Sequence, residues 1–172
     1  FEIKLVAAKR DTRLDYSAFS VHADLLLHEV EHADLVIIPA LSGNLPAAIE
    51  ANRNLIPWIL EQQKKGAEVA SLCLGAFLFA STGLLDGKKC STHWGFCNDF
   101  RAMFPQVEMV DGSIITDEQG LYSSGGANSY WNLLLYLLEK YTDRPRAMLA
   151  AKYFAVDIER DSQAAFMLFN GQ

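Results

Sequence analysis

Apolar and polar positions along this 172-residue chain change period several times, the mark of strands alternating with helices. Residues 2–8 read as a strand, with Ile3, Leu5 and Val6 apolar and β-branched residues prominent. Residues 35–39 (Leu-Val-Ile-Ile-Pro) form a short apolar run, as expected of a strand buried on both faces of a parallel sheet. Between them, residues 19–27 suggest a short edge strand followed by a turn of helix. A short helix is expected over 45–51. Another starts after Asn54 as cap, tolerates Pro57 in its first turn and stops before Gly66. Residues 68–72 form the next strand and 75–85 an apolar helix directly behind it. Asp86-Gly87 turns the chain into a brief strand at 89–92. Asp111-Gly112, between residues 107–110 and 113–116, is a hairpin signal. A strand at 121–123, a helix over 128–140 and a last helix over 144–154, capped by Thr142 or Asp143, complete the pattern. Residues 156–172 have no clean period. Trp131, Leu134, Leu135 and Leu138 make an apolar stripe at helical spacing, best read as core. Strand and helix alternation implies the α/β class, with a mostly parallel sheet covered by helices.

Composition narrows the function classes. With 51% hydrophobic residues and 21% charged ones, the chain can bury roughly 70% of its unfolded surface in one domain, which excludes disorder. The net charge of −6 argues against this segment gripping a phosphate backbone. No apolar run is long enough to span a membrane. Three cysteines, Cys73, Cys90 and Cys97, are too few for a disulfide framework and point to a reducing, cytoplasmic setting. Phe1 lies inside an apolar run, so no signal peptide is legible, and the lack of an initiating Met suggests a piece of a longer chain.

The sharpest local feature is Ala70-Ser71-Leu72-Cys73-Leu74-Gly75-Ala76, where a strand ends and a helix begins at once among small residues. That pattern suits a nucleophile elbow, in which a strained turn projects the central side chain. At a helix N-terminus, the thiolate of Cys73 should be favoured. The plain alternative is a small buried hydrophobe in an α/β crossover. His93, in Cys90-Ser91-Thr92-His93-Trp94, follows a strand that can end at the same sheet edge and is the candidate proton-transfer partner. By itself it reads as a partly exposed histidine at a strand end. Gly43 and the backbone N–H of Leu74 are candidate oxyanion donors. Ser123-Ser124-Gly125-Gly126 closes a strand and opens a helix, a place where anions settle, so Ser124 and Gly125 are candidate ligand contacts. It is no P-loop, since the Gly-Lys-Ser/Thr ending is absent. Trp94 is a candidate pocket wall; Phe77, on the apolar helix, reads as core. His28 and His32 stand at i, i+4 without an evident third ligand, so no metal site and no cofactor are expected.

Together, Ser71-Leu72-Cys73-Leu74-Gly75-Ala76-Phe77, Gly83-Leu84-Leu85-Asp86-Gly87, Ser91-Thr92-His93-Trp94 and Tyr122-Ser123-Ser124-Gly125-Gly126 resemble the ThiJ/PfpI superfamily, which shares the fold of class I glutamine amidotransferases. The resemblance runs over residues 1–154. Its closest branch is the amidase-like N-terminal domain of AraC-family, GlxA-type transcriptional regulators. It implies an α/β three-layer sandwich on a mostly parallel, flavodoxin-like sheet with a nucleophile elbow, an amidotransferase-like domain at 1–155 and a tail at 156–172 leading to a C-terminal helix-turn-helix domain. The tail segment Arg160-Asp161-Ser162-Gln163-Ala164-Ala165-Phe166 resembles the approach to that module. It also implies a small-molecule effector, DNA as partner of the absent module, and a homodimer. By the same resemblance, Cys73 is the elbow cysteine and His93 the motif histidine. The family's acidic residue lies in a first strand-and-helix unit with no match here. Protease-like members place a histidine directly after the cysteine, where this chain has Leu74, so that dyad and protease activity are not expected. The competing expectation is a Cys-dependent hydrolase or hydratase of a small amide, nitrile-like or carbonyl substrate. A weaker one is a redox sensor that oxidises Cys73.

Overall fold

A computed structural model describes residues 1–13 and 19–167. Its strands are β1 (Val6–Ala7), β2 (Asp11–Arg13), β3 (Ser20–His22), β4 (Leu25–Leu26), β5 (Leu35–Ile38), β6 (Glu68–Leu72), β7 (Lys89–Cys90), β8 (Glu108–Met109), β9 (Ile115–Asp117) and β10 (Leu121–Ser124). The α-helices are α1 (Leu45–Ala51), α2 (Leu55–Lys64), α3 (Gly75–Ala80), α4 (Cys97–Met103), α5 (Tyr130–Tyr141) and α6 (Arg144–Phe154). The largest sheet has the order β5-β6-β10-β9. β5, β6 and β10 run parallel and β9 joins antiparallel. The pairs β1·β4, β2·β3 and β7·β8 stand as separate two-stranded sheets.

Alternation along β6 divides the core. Val69 faces a cluster with Val36, Ile38, Phe77, Phe79 and Phe100, whereas Ala70 faces Tyr122, Leu133 and Leu137 of α5. One face of the sheet therefore carries α3 and α4 and the other α5, which is the three-layer arrangement the resemblance implied. Local chemistry sets the helix starts. Asn44 Oδ1 accepts the Ala47 N–H at 3.0 Å, and Asp143 Oδ1 accepts that of Arg146 at 2.9 Å. Pro46 and Pro145 sit in the first turns, where a missing N–H costs nothing.

Several expectations need correction, among them Leu134, read as core but 37% exposed. β5 is an edge of the described sheet, so Ile37 remains 40% exposed instead of being buried on both faces. The first strand is confined to Val6–Ala7. The helix expected over 75–85 stops at Ala80, and turns carry the chain to Gly83, whose φ of +78° favours glycine. Asp111-Gly112 is a turn but not a hairpin: β8 pairs in parallel with β7, while β9 pairs with β10. The reason lies in the tail. Ser113 bridges to Ser162, Ile114 N–H donates to the Asp161 carbonyl at 3.0 Å, and Gln163 N–H donates to that of Gly112 at 2.6 Å. The strand side of this turn is thus taken by residues fifty positions away, and the true hairpin closes at residues 118–120. The tail, expected to be irregular, is docked as far as it is described and holds a 3-10 turn at Ala164–Phe166; its last residues, 168–172, lie outside the described set.

Candidate functional site

The carboxyl ends of β5, β6 and β10 lie level, with Ile38 beside Ser71 and Ser124 beside Leu72. Cys73 follows β6 at this edge with φ +51°, a left-handed conformation that strains any residue with a side chain. Two neighbours hold it there. Its N–H donates to the Ser124 carbonyl at 2.8 Å, and its carbonyl accepts Thr92 Oγ1 at 3.0 Å. Gly75 lets α3 start at once, because a Cβ there would lie 2.6 Å from the Ile38 carbonyl oxygen and 2.5 Å from that of Pro39. The result is a tight strand-to-helix turn, with β6 ending at Leu72 and α3 starting at Gly75.

The thiol is half-buried, and burial pushes its pKa above the ordinary value, opposed by the Leu74 N–H. This corrects the expectation of a favoured thiolate: one N–H at a six-residue helix does not offset lost hydration. Burial also raises Cys90, to about 12, and Cys97, to about 11.

His93 is brought to the same edge by two anchors on its own segment. Ser91 N–H donates to Ser123 Oγ at 2.7 Å, and Thr92 bonds the Cys73 carbonyl. The imidazole itself is occupied locally. Its Nδ1 accepts the Gly95 N–H at 3.1 Å, which puts the proton of the neutral ring on Nε2. Its ring packs against Trp94 and Phe96, with centroids 5.3 and 5.8 Å away. No hydrogen bond joins this ring to Cys73 among the described residues.

The remaining candidates divide. Gly43 has φ +78° and open space where a side chain would stand, in the loop between β5 and α1. Leu74 directly follows Cys73, and its backbone N–H opposes the burial that raises the thiol's pKa. Trp94 is half-buried beside His93. Ser124 and Gly125 are committed elsewhere: Ser124 is fully buried with Oγ donating to the Ser71 carbonyl, and Gly125 N–H donates to that of Ile114 at 2.9 Å. A Cβ on Gly125 would meet Gln163 Nε2 at 2.1 Å and Ser91 Oγ at 2.4 Å, so this glycine serves packing.

Sequence reasoning missed Thr92 and Gln163. Gln163, 2% exposed, accepts the Trp94 N–H at 3.2 Å through Oε1. Its Nε2 donates to the carbonyls of Thr92 at 3.0 Å and Ser113 at 2.9 Å. The resemblance already quoted both segments, and a buried glutamine carried no separate signal. No group of three or more His, Cys, Asp or Glu among the described residues could hold a metal ion. No helix there is long and apolar enough to cross a membrane.

Residues 1–140 match the DJ-1/PfpI family. The chain is 25% identical over 147 residues to the HTH-type transcriptional regulator CdhR of Pseudomonas aeruginosa, covering 86% of this chain and 43% of that one. It therefore spans less than half the length of that relative. It is 27% identical over 131 residues to the deglycase PH1704 of Pyrococcus horikoshii, covering 75% of this chain and 76% of that one. The crystal structure of a candidate transcriptional regulator of Vibrio parahaemolyticus superposes with a TM-score of 0.77 at 22% identity, over 86% of this chain and 78% of that one, which shows the shared fold.

Proposed function

This chain belongs to the DJ-1/PfpI family, and on that premise we propose that it is the ligand-sensing and dimerisation domain of an AraC-type regulator, with residues 1–155 as the sensing unit. The similarity to a helix-turn-helix regulator along 86% of the chain supports the class. One observation at the site carries the choice of binding over turnover. Burial pushes the Cys73 pKa up, and the Nδ1 of its candidate base accepts the Gly95 N–H. Nucleophilic cysteines need the opposite, a pKa lowered by a positioned cationic or basic partner. A tight strand-to-helix turn at Cys73, with the His93–Trp94–Phe96 ring cluster on the segment tied to it, suits a small nitrogenous or carboxylated metabolite. Gly43 and Leu74 offer it backbone donors. DNA is contacted by a helix-turn-helix segment beyond residues 156–172, and the protein works in the cytoplasm as a homodimer.

The test is a mobility-shift assay at low salt on the full-length protein with fragments of its own upstream region, paired with a metabolite screen by thermal shift. Retained DNA, and a stabilising metabolite whose effect disappears in Trp94→Ala, is the expected result. Failure to retain any fragment would sink the regulator reading.

The second reading is a Cys-dependent hydrolase, favoured by the similarity to a deglycase over three quarters of both chains. Cys73 would attack, His93 would move the proton, and Gly43 with Leu74 would hold the oxyanion. Equal background rates for wild type and Cys73→Ser across amide and carbonyl substrates would remove it.

A further inference from the structure

We infer that Gln163 is a positioning latch that couples the elbow to the C-terminal tail, so that occupation of the Cys73–His93 edge is transmitted to whatever follows the tail. The inference rests on the reading of that edge as a ligand site and adds its route of regulation.

The route is a short series of direct bonds. The Cys73 carbonyl accepts Thr92 Oγ1, and the Thr92 carbonyl accepts Gln163 Nε2. The Trp94 N–H, one residue past His93, donates to Gln163 Oε1. The segment at residues 92–94, which Thr92 ties to the elbow, therefore closes at two points on one side-chain amide, which the tail supplies. Around it the tail is fastened by Gln163 N–H to the Gly112 carbonyl, the Ser113–Ser162 bridge, and Arg160 Nη2 to Ser129 Oγ at 3.0 Å. Gly125 and Gly126 give the amide its room: a Cβ on either would lie within 3.0 Å of it.

The structure shows this amide engaged at both ends. Its three side-chain bonds span 2.9–3.2 Å, and hydrogen bonds of that length fail when a partner moves by about an ångström. A buried primary amide that loses its partners is strongly disfavoured. A shift of residues 91–96 on ligand binding thus favours withdrawal of the amide, and the docked tail with it. Coupling of this kind is reciprocal, so releasing the tail must also change the elbow.

The experiment uses the full-length protein and iodoacetamide as an elbow probe, with single addition at Cys73 verified by mass. Amide hydrogen exchange is then followed in residues 91–96, 156–167 and, as a distant reference, 55–64. Labelling is expected to speed exchange across 156–167 by about fivefold or more, the lower end of usual couplings, and to leave 55–64 unchanged. In Gln163→Ala the tail should exchange fast before labelling, labelling should add nothing, and the alkylation rate of Cys73 should itself differ from wild type. Gln163→Glu keeps the size and the acceptor for Trp94 but turns an oxygen towards two carbonyls. It should behave as the alanine variant, whereas a merely space-filling role would be rescued. An unchanged tail on labelling wild type, or an equal acceleration at 55–64, overturns the latch, and neither result depends on a variant folding. A protein that shows the coupling but retains no DNA would keep the latch and lose the regulator reading; the converse would do the reverse.

Discussion

Replacing Gly75 by alanine tests the elbow without touching the thiol. The added Cβ would lie 2.5 Å from the Pro39 carbonyl oxygen, 2.6 Å from that of Ile38 and 3.0 Å from the Pro39 carbonyl carbon. All three are backbone atoms at the end of β5, so no side-chain rotation relieves the contact. Either α3 withdraws from the sheet or β5 bends away, by more than half an ångström. Forcing a methyl into a packed interior costs about 1–3 kcal/mol, and the higher end applies where both sides are main chain. Helix propensity returns less than about 1 kcal/mol of that. A net loss of about 2 kcal/mol in a chain of this size lowers the Tm by roughly 4–8 °C. Differential scanning calorimetry reads that shift, and the iodoacetamide labelling rate at Cys73, measured well below the melting range, reads the elbow separately. Both should change. A Gly75→Ala protein that melts with wild type and labels at its rate would show that the close approach of α3 to β5 is not what fixes the turn.

Three further outcomes follow from single bonds and from burial. Thr92→Val keeps the shape but removes the hydroxyl that reaches the Cys73 carbonyl, and should cost about 1–2 kcal/mol in urea unfolding; an unchanged midpoint would mean that this bond holds nothing. Asp143→Ala deletes the side-chain cap of α6 and should cost about 1 kcal/mol, which Asp143→Asn should largely restore. Burial raises the Cys73 pKa, so at pH 7.5 its thiolate fraction is below that of a free cysteine and its alkylation rate should still climb above pH 9. The same sign makes this thiol a contributor to stability below its unfolded pKa that is lost as pH rises through the folded one. A rate already level at pH 8 would refute the burial argument and revive the nucleophile.

The sequence patterns that proved reliable were those whose cause is local. The limits of α1 and α6 follow from an Asx cap and a proline within the next two residues, and both helices occur over the residues expected. The limits of β6 follow from a short apolar run closed by a sharp turn. The Asp111-Gly112 hairpin failed because pairing is a choice among partners. The dipeptide makes its turn, with Gly112 at φ +73°, yet Ser113 and Ile114 meet Asp161 and Ser162 instead of the preceding strand. β5 misled for a related reason. A run of four apolar residues reports hydrophobicity, not the number of neighbours, and Ile37 faces outward among the described residues.

The site divides along the same line. Small residues around Cys73 announced a tight strand-to-helix turn, and its left-handed φ agrees with them. The state of the thiol was not legible, because it depends on how much surrounding chain removes water, and that sum outweighs the single N–H the motif supplies. His93 shows the same limit from the other side. Its position in the chain brings its segment to the elbow, but a bond to Gly95, two residues on, fixes its tautomer. Gly125 was legible as a glycine at a strand-to-helix turn. A strand-to-helix glycine suggests an anion cradle, whereas here the room it leaves is filled by the amide of a residue 38 positions later. If that is the reason for the glycine, Gly125→Ala and Gln163→Ala should not add: the first evicts the side chain that the second deletes. Their double mutant should then be about as unstable as Gly125→Ala alone. Full additivity of the two losses would mean that the glycine and the glutamine serve separate ends.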